Sequence, residues 1–154
     1  MHDLDAFDKK LLEQLQQNNK ITAEELGNIV NLSTSAVQRR LKRLRRDRII
    51  EADISIISPT AIGYRISCVV NISLHLGSSR VIDSFKELMS GCDEVMQCYY
   101  VTGGLDFVVI VNTQDMRHYE EFSKKYLMDN PDVKQFYSHV VIDKVKVGYK
   151  VLLS

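Results

Sequence analysis

The sequence predicts an α+β fold in which a three-helix domain of the winged helix-turn-helix type precedes a four-stranded βαββαβ sandwich. Apolar residues recur at helical spacing through the first fifty residues and alternate with polar residues from Tyr64 onward, and two more helical patterns separate the alternating segments. The chain has 154 residues and a mass of 17.7 kDa, enough for two small domains. The predicted domains are 1–50, a linker strand or hinge at 51–63, and 64–154.

The first fifty residues predict three helices joined by short turns. Leucines and Phe7 at helical spacing between Leu4 and Leu15 indicate the first helix. Thr22 followed by Glu25 is a capping-box sequence and predicts the start of the second helix. Ser33 is a good N-cap for the third helix. Two helices with so short a turn between them, the second one basic, are typical of a helix-turn-helix.

The third predicted helix divides into an apolar and a basic side. Val37, Leu41 and Leu44 fall on one stripe and are predicted to face the core. A DNA-recognition helix needs this division, because its far side enters the major groove. The N-terminal residues are placed for base edges and the later ones for phosphates. The candidate base contacts are Thr34, Ser35, Gln38 and Arg39, and the candidate phosphate contacts are Arg40, Lys42, Arg43 and Arg46.

The alternative for this helix is a solvated face without a partner, since basic residues near a helix C-terminus are favoured by the macrodipole. The distribution of charge argues for DNA. Residues 1–50 hold 10 Lys and Arg against 7 Asp and Glu, whereas residues 51–154 hold 10 against 13. The chain is neutral as a whole, so the first part carries +3 and the second −3, which points to a polyanionic partner for the first.

The linker and the second domain are predicted from alternation. Ile50, Ala52, Ile54 and Ile56 alternate with polar residues and predict a strand that needs a partner edge. One face of the first strand of the second domain is predicted to hold Ile66, Cys68, Val70, Ile72, Leu74 and Leu76. The inward residues of the two helices are predicted to be Val81, Phe85, Leu88, Met89, Met116, Tyr119, Phe122 and Tyr126. With strands at "EVMQCYYV", "DFVVIVNT" and residues 133–147, the order is that of a ferredoxin-like sandwich.

The stretch "YYVTGGLDF" offers a candidate ligand loop. Gly103 and Gly104 lie between two predicted strands, where a hairpin turn favours positive φ. They can serve the turn alone. Alternatively, backbone N–H groups exposed by glycines can receive a carboxylate while Asp106 holds an ammonium, and a free α-amino acid presents both groups.

Several of these motifs together resemble the Lrp/AsnC family of bacterial and archaeal transcription regulators. The resemblance rests on "D..D..LL..LQ.N", "ITAEEL", "V.LS.S.V..R...L", "ISPTAIG" and "VTGGLDF", and covers nearly the whole chain. It implies linker strands paired between two subunits, dimers assembling to tetramers or octamers, and an amino-acid effector bound between dimers. The effector residues it implies are Thr102, Gly103, Gly104 and Asp106, with Tyr100, Tyr137, Ser138 and His139 as weaker correspondences. Three residues depart from the family pattern: Arg45 stands where an acid is usual, Arg48 where Gly is usual, and Asp53 where an aromatic residue is common.

Other function classes find little support in the sequence. The four histidines (His2, His75, His118 and His139) have no metal-binding spacing, and no nucleophile elbow or phosphate loop is present, so we expect no catalytic residue, metal or cofactor beyond an amino-acid effector. No apolar run approaches the length of a membrane helix, and three cysteines without a CxxC pair fit a cytoplasmic setting. Two alternatives to the regulator remain: a DNA-compacting architectural protein without an effector, and an enzyme resembling haem-pathway decarboxylases.

Overall fold

The structure, a computed structural model, describes residues 3–75 and 78–153 and divides into two units. One unit runs to Ile56 and also takes in the segment from Val147 onward, and the other spans Ile57–Lys146. The sequence-based boundaries assign the segment from Val147 to the second domain. In the structure its contacts lie with the first unit, where the Gln16 side chain bonds to the Val151 backbone and Leu153 packs against the helical core.

Three capped helices form the first unit: α1 (Ala6–Leu15), α2 (Ala23–Val30) and α3 (Thr34–Arg46). The predicted caps are present. Thr22 and Glu25 form a capping box, and the Ser33 hydroxyl accepts the Ala36 N–H. Asp5 and Asp8 form a second capping box at the start of α1. Each cap satisfies backbone N–H groups that have no partner inside the helix, so the local sequence sets where each helix begins.

The turn between α2 and α3 is closed tightly. Asn31 ends α2 in the left-handed conformation, with φ 57°. A Cβ on Gly27 would lie 2.5 Å from the Leu32 carbonyl oxygen, so only glycine lets the turn pack this closely against α2. The turn therefore fixes the direction in which α3 leaves α2.

The second unit has the predicted βαββαβ order. Its elements are β1 (Ile66–Leu74), α4 (Ser79–Ser90), β2 (Val95–Tyr100), β3 (Phe107–Thr113), α5 (Met116–Ser123) and β4 (Val133–Val140), with a 3-10 turn at Thr60–Ile62 and a π-helical turn at Lys124–Met128. All neighbouring strands are antiparallel, and the sheet order is β2-β3-β1-β4. The ferredoxin-like prediction is confirmed.

Apolar alternation places one face of the sheet against the helices. Cys68, Val70, Ile72 and Leu74 are buried there, as predicted, and Leu76 lies outside the described residues. Phe85, Met89, Tyr119 and Phe122 cover this face. The prediction that Leu88 and Met116 point inward is wrong, since both are exposed. Each precedes or follows a core residue by three positions and so lies about 60° around the helix from it.

Two segments in which apolar and polar residues alternate, 51–58 and 141–147, form no strand in the single chain. Residues 51–58 carry no strand, although the sequence predicts one, and an edge from a partner chain is what the prediction requires. β4 ends at Val140, so the prediction of a strand to residue 147 is too long by seven residues. Val141 still donates to the Ser67 carbonyl, and the chain then leaves the sheet. Across the described ranges, no helix is long and apolar enough to cross a membrane.

Candidate nucleic-acid interface and ligand loop

α3 is held by its apolar stripe. Val37 and Leu44 are fully buried and Leu41 nearly so, in one cluster with Leu11 and Leu26 of the other two helices. The opposite side is exposed. Six of the eight predicted DNA contacts are exposed: Thr34, Ser35, Gln38, Arg39, Lys42 and Arg46. The helix thus presents hydroxyl, amide and cationic groups on one side.

The other two predicted contacts, Arg40 and Arg43, are only partly exposed because they pair with α1. Arg40 Nη1 lies 2.7 Å from Asp5 Oδ2 and 2.9 Å from Asp8 Oδ1, and Arg43 Nη2 also contacts Asp8. The Asp8 side chain is 1% exposed. A buried carboxylate is costly unless it is paired, so these arginines neutralise Asp8 and brace α3 against α1.

The pKa of the Asp5 carboxyl lies below its ordinary value. The largest cause is the hydrogen bond from the Asp8 backbone N–H, and the Arg40 guanidinium adds to it. The pairing of Asp5 and Asp8 with these arginines is not among the predictions from the sequence. The signal for this pairing is a pair of acids three residues apart facing a pair of arginines three residues apart.

The arginines and Lys42 also border a cleft. Its volume is ≈ 570 Å³, and it is lined by Asp5, Arg39, Arg40, Lys42, Arg43 and Arg46. Five of these six side chains are cationic, and Asp5 is paired to Arg40. A cleft lined with guanidinium and ammonium groups can receive phosphate oxygens.

The loop between β2 and β3 has the conformation that glycine permits. Gly103 has φ 125°, and a Cβ on either Gly103 or Gly104 would meet open space. Any side chain at Gly103 would therefore be strained by the backbone rather than by a neighbour. Thr102, Gly103 and Gly104 are all exposed. The loop leaves its backbone accessible to a small ligand.

Asp106 already has a structural task. Its Oδ2 accepts the Leu74 N–H at 2.8 Å, and its own N–H donates to the Ile72 carbonyl at 2.9 Å. One carboxylate oxygen therefore ties the loop to the end of β1.

The two sets of predicted effector residues lie apart within one chain. Tyr100 is the last residue of β2 and residues 137–139 lie on β4, and these are the two outer strands of the sheet, about 14 Å apart at ordinary strand spacing. Asp106 lies nearer the middle of the sheet, because it directly precedes β3 and is bonded to Ile72 and Leu74 of β1. Tyr137 pairs with Asn71 on the open face, whereas the Ser138 hydroxyl contacts the Tyr119 hydroxyl on the helix side. His139, like Tyr137, is exposed on the open side.

The ring of Tyr100 packs at 5.1 Å from that of Phe107, which is fully buried as core. Lys86 Nζ of α4 lies over the ring of Tyr100, 5.0 Å from its centroid. The structure thus places Tyr100 on one edge strand and residues 137–139 on the other, and the loop after Tyr100 runs from the first edge to Asp106 beside β1.

Comparison with known proteins identifies both units. Residues 4–45 match the model of the AsnC-type helix-turn-helix domain, and residues 67–151 match that of the Lrp/AsnC ligand binding domain. The chain belongs to the Lrp/AsnC family. Its members are transcription regulators with a DNA-binding helix-turn-helix domain and a ligand-binding domain, not enzymes. The regulator reading of the sequence is confirmed, and nothing found supports the decarboxylase or the architectural alternative.

Relatives within this family extend over nearly the full chain. An HTH-type transcriptional regulator of Sinorhizobium fredii is 46% identical over 97% of this chain and 88% of its own length. The leucine-responsive regulatory protein of Escherichia coli K12 is 26% identical over 99% of this chain and 93% of its own. Among solved structures, a transcriptional regulator of Neisseria meningitidis in complex with L-Met has a TM-score of 0.92 and 26% identity over 97% of each chain.

Two of the three residues that depart from the Lrp/AsnC pattern, Arg45 and Asp53, form an ion pair with each other. Arg45 Nε lies 2.7 Å from Asp53 Oδ2, and Arg45 Nη2 donates to Asp53 Oδ1 at 3.2 Å. This bidentate pair joins the end of α3 to the linker, and it lowers the pKa of Asp53 and raises that of Arg45. An acid at position 45 with an aromatic residue at position 53 could not form it.

The third departure, Arg48, adopts the backbone conformation that the usual glycine would have. Arg48 has φ 55°, in the left-handed region where glycine is usual. Its N–H donates to the Arg45 carbonyl, and Ile49 and Ile50 both donate to the Leu44 carbonyl. The turn after α3 is therefore closed as a glycine would close it, at a conformational cost.

In the part of the chain that the structure describes, no group of three His, Cys, Asp or Glu side chains could hold a metal ion. His118 instead bonds to Glu94, which also accepts from the Cys92 thiol. Burial is the largest cause that raises the pKa of Cys92, to about 11, so this thiol is a poor nucleophile.

Proposed function

We propose that this protein is a cytoplasmic regulator that binds operator DNA as a dimer and responds to a small amino acid. The observation that carries the DNA part is the division of α3 into a buried stripe and an exposed side bearing Ser35, Gln38, Arg39 and Lys42. Two such helices in successive major grooves require an imperfect palindrome with half-sites roughly 34–36 Å apart.

The roles along α3 differ in this proposal. Thr34, Ser35, Gln38 and Arg39 meet base edges, and Lys42 and Arg46 meet phosphates. Arg40 and Arg43 border the same cleft while paired to Asp8, so they add positive charge near the phosphates and hold the helix in place. This separates residues that read sequence from residues that supply affinity.

A gel-shift comparison tests these roles. Arg39→Ala should lower discrimination between the operator and random DNA by about 5- to 150-fold, the range for losing one bidentate base contact. Lys42→Ala should weaken binding to both DNAs alike and reduce the salt slope by about one phosphate contact. Arg117→Ala, which removes a highly exposed arginine of α5, is the matched control. If Arg39→Ala and Lys42→Ala bind like this control, the proposed interface is wrong.

For the effector, we propose that the exposed backbone of Thr102, Gly103 and Gly104 receives the carboxylate of an amino acid, and that the second oxygen of Asp106 receives its ammonium. Tyr100 directly precedes this loop. Tyr137, Ser138 and His139 lie on the opposite edge strand from Tyr100, and in this proposal they join the site from a second copy of the chain. A site shared between copies is what couples ligand binding to assembly as tetramers or octamers.

A thermal-shift screen of the twenty amino acids tests this site, since a ligand that binds only the native state raises the melting temperature. L-methionine is the first candidate because a structural relative was solved in complex with it. Asp106→Asn retains an oxygen that can accept the Leu74 N–H and removes the charge. It should abolish the shift with little change in the ligand-free melting temperature. No shift with any amino acid at millimolar concentration contradicts the effector proposal.

The proposed link between effector and DNA is a coupling free energy of about 1–3 kcal/mol, or roughly 5- to 150-fold in operator affinity. The coupling must act in both directions, so operator DNA must change the affinity for the amino acid by the same factor. Sedimentation with and without the amino acid measures the accompanying change of assembly.

A further inference from the structure

Among the described residues that line the basic cleft of α3, Asp5 alone is an acid. The other five are four arginines and the lysine of that helix. The Asp5 side chain is 49% exposed, so its carboxylate is within reach of an anion that enters the cleft. Because like charges repel, a carboxylate at this place lowers the affinity of the cleft for phosphate.

The carboxylate of Asp5 is fixed in place by the start of α1. Asp5 Oδ1 accepts the Asp8 N–H at 2.8 Å, and the Asp5 N–H donates to Asp8 Oδ2 at 3.3 Å. Asp5 Oδ2 is thereby turned toward α3, where it accepts from Arg40 Nη1 at 2.7 Å. The side chain cannot turn away from the cleft without losing the bond that caps the helix.

Arg40 is in turn held from the side of α1. Its Nη1 donates to Asp8 Oδ1 at 2.9 Å as well as to Asp5, which takes up both hydrogens of that nitrogen. The guanidinium also lies over the Phe7 ring, with Cζ 5.4 Å from the ring centroid. A phosphate that approaches Arg40 Nη1 from the cleft must therefore compete with Asp5 for it.

The pair of Asp5 and Arg40 stays ionised at neutral pH. The pKa of the Asp5 carboxyl lies below its ordinary value, chiefly because of the Asp8 backbone N–H, and the pKa of Arg40 is raised, chiefly by its hydrogen bond to Asp5. The negative charge at the cleft is therefore a constant feature of the folded chain near neutral pH.

We propose that Asp5 limits the affinity of the recognition helix for DNA by keeping Arg40 from the phosphate backbone. Phosphate contacts supply affinity without reading sequence, so a cation withheld from them leaves the base contacts of α3 with a larger share of the binding. The proposal rests on the DNA interface of the proposed function and names the residue that limits its phosphate contacts.

Asp5→Asn tests this role in the full-length chain. Asparagine caps helices as well as aspartate does, so α1 is kept while the charge is removed. When the amide oxygen accepts the Asp8 N–H, the amide NH2 faces Arg40 and cannot accept from it. With a random duplex of about 20 base pairs at about 50 mM salt, the variant should bind roughly three- to tenfold more tightly than wild type. Its plot of log K against log salt should be steeper by about 0.9, the slope of one more phosphate contact.

Asp3→Asn is the matched control. Asp3 is exposed and lies two residues before Asp5, but it is not among the described residues that line the cleft. This substitution removes the same charge, so it reports the general effect of a more positive chain and should leave the salt slope unchanged. If Asp5→Asn binds no more tightly than Asp3→Asn, or with the same salt slope, the proposal is wrong.

A double substitution tests the route through Arg40. Arg40→Gln leaves Arg43 in contact with Asp8, and circular dichroism with a melting curve establishes that the variant is folded. In this background Asp5→Asn should change the salt slope no more than Asp3→Asn does, because Arg40 is then absent. A slope that still steepens by about 0.9 overturns the role of Arg40. If the Arg40→Gln chain does not fold, the comparison of Asp5→Asn with Asp3→Asn decides the proposal by itself.

The wild-type chain keeps this proposal distinct from the one on which it rests. If the wild-type chain does not bind the duplex at low salt, the DNA interface of α3 is refuted. If it binds and Asp5→Asn behaves like Asp3→Asn, only the role of Asp5 is refuted.

Discussion

The two units of the molecule stabilise their interiors differently. In the helical unit a carboxylate lies in the interior, and Asp8 is held by Arg40 and Arg43 from the recognition helix. In the sandwich unit the described buried residues are mostly apolar, with Asn112, Thr113 and Ser123 as the polar ones, and none is charged. Phe85 and Phe107 are in contact there at 4.8 Å between ring centroids. A charged brace fixes orientation through directional bonds, whereas apolar burial fixes only which surface is covered. The difference suits a helix whose angle decides which DNA it reads.

The largest expected effect on stability comes from removing the ion pairs of Arg40 and Arg43 with Asp8. The double substitution of Arg40 and Arg43 by Met leaves Asp8 as an unpaired buried charge and should cost about 3–5 kcal/mol of unfolding free energy. Adding Asp8→Leu removes that charge and should recover much of the loss. Urea unfolding with hydrogen exchange of α1 and β1 amides assigns the change to one unit.

The sandwich unit provides the contrast to this pair of variants. Phe107→Ala should cost a similar ~3–5 kcal/mol through a cavity, but the loss should appear in β1 amides. If Asp8→Leu fails to rescue the arginine variant, the brace does not act through neutralisation.

A smaller effect is expected at the turn after α3. Arg48→Gly should raise the unfolding free energy by about 1 kcal/mol, because glycine adopts φ 55° without the steric cost that an L-side chain meets there. Arg48→Ala removes the same charge and keeps the strained backbone, so it should not stabilise. A gain with alanine equal to that with glycine would attribute the effect to charge instead. Thermal unfolding of the two variants decides between these causes.

The smallest effect concerns pH. The pKa of Asp5 is lowered in the folded chain from an ordinary value of 3.8, chiefly by the Asp8 backbone N–H. A lowered carboxyl pKa contributes stability above the unfolded value, and that stability is lost as the pH falls through the folded value. We expect the wild-type advantage over Asp5→Asn in melting temperature to be constant from neutral pH to about pH 5. Below pH 4 it should shrink. Lys9→Gln, a neighbouring charge change, is the control.

Much of the helical unit could be predicted because its signals are local. The caps at Thr22 and Ser33 and the stripe of Val37, Leu41 and Leu44 follow from residues three or four apart, and the structure has all of them. The partners of Arg40, Arg43 and Arg45 could not be predicted in this way. Asp8 lies 32 residues from Arg40, and only the packing of α3 on α1 brings them together.

The ligand loop shows the same division between local features, which the sequence predicts, and long-range contacts, which it does not. Gly103 was predicted to need positive φ, and it has φ 125°. The sequence does not predict that one carboxylate oxygen of Asp106 accepts the Leu74 N–H. Nor does it predict that residues 137–139 lie on the opposite edge strand. Strand order depends on which edges meet, and an alternating pattern carries no information about its neighbour.

By itself the sequence determined the two domains, the βαββαβ order, the helix starts and the two sides of the recognition helix, because periodicity and capping act over a few residues. The tertiary structure alone decided which arginines of that helix pair with α1 and which remain exposed. It also decided that residues 51–58 form no strand within one chain. Those outcomes depend on surfaces brought together from distant parts of the chain, where burial and charge pairing outweigh local preference.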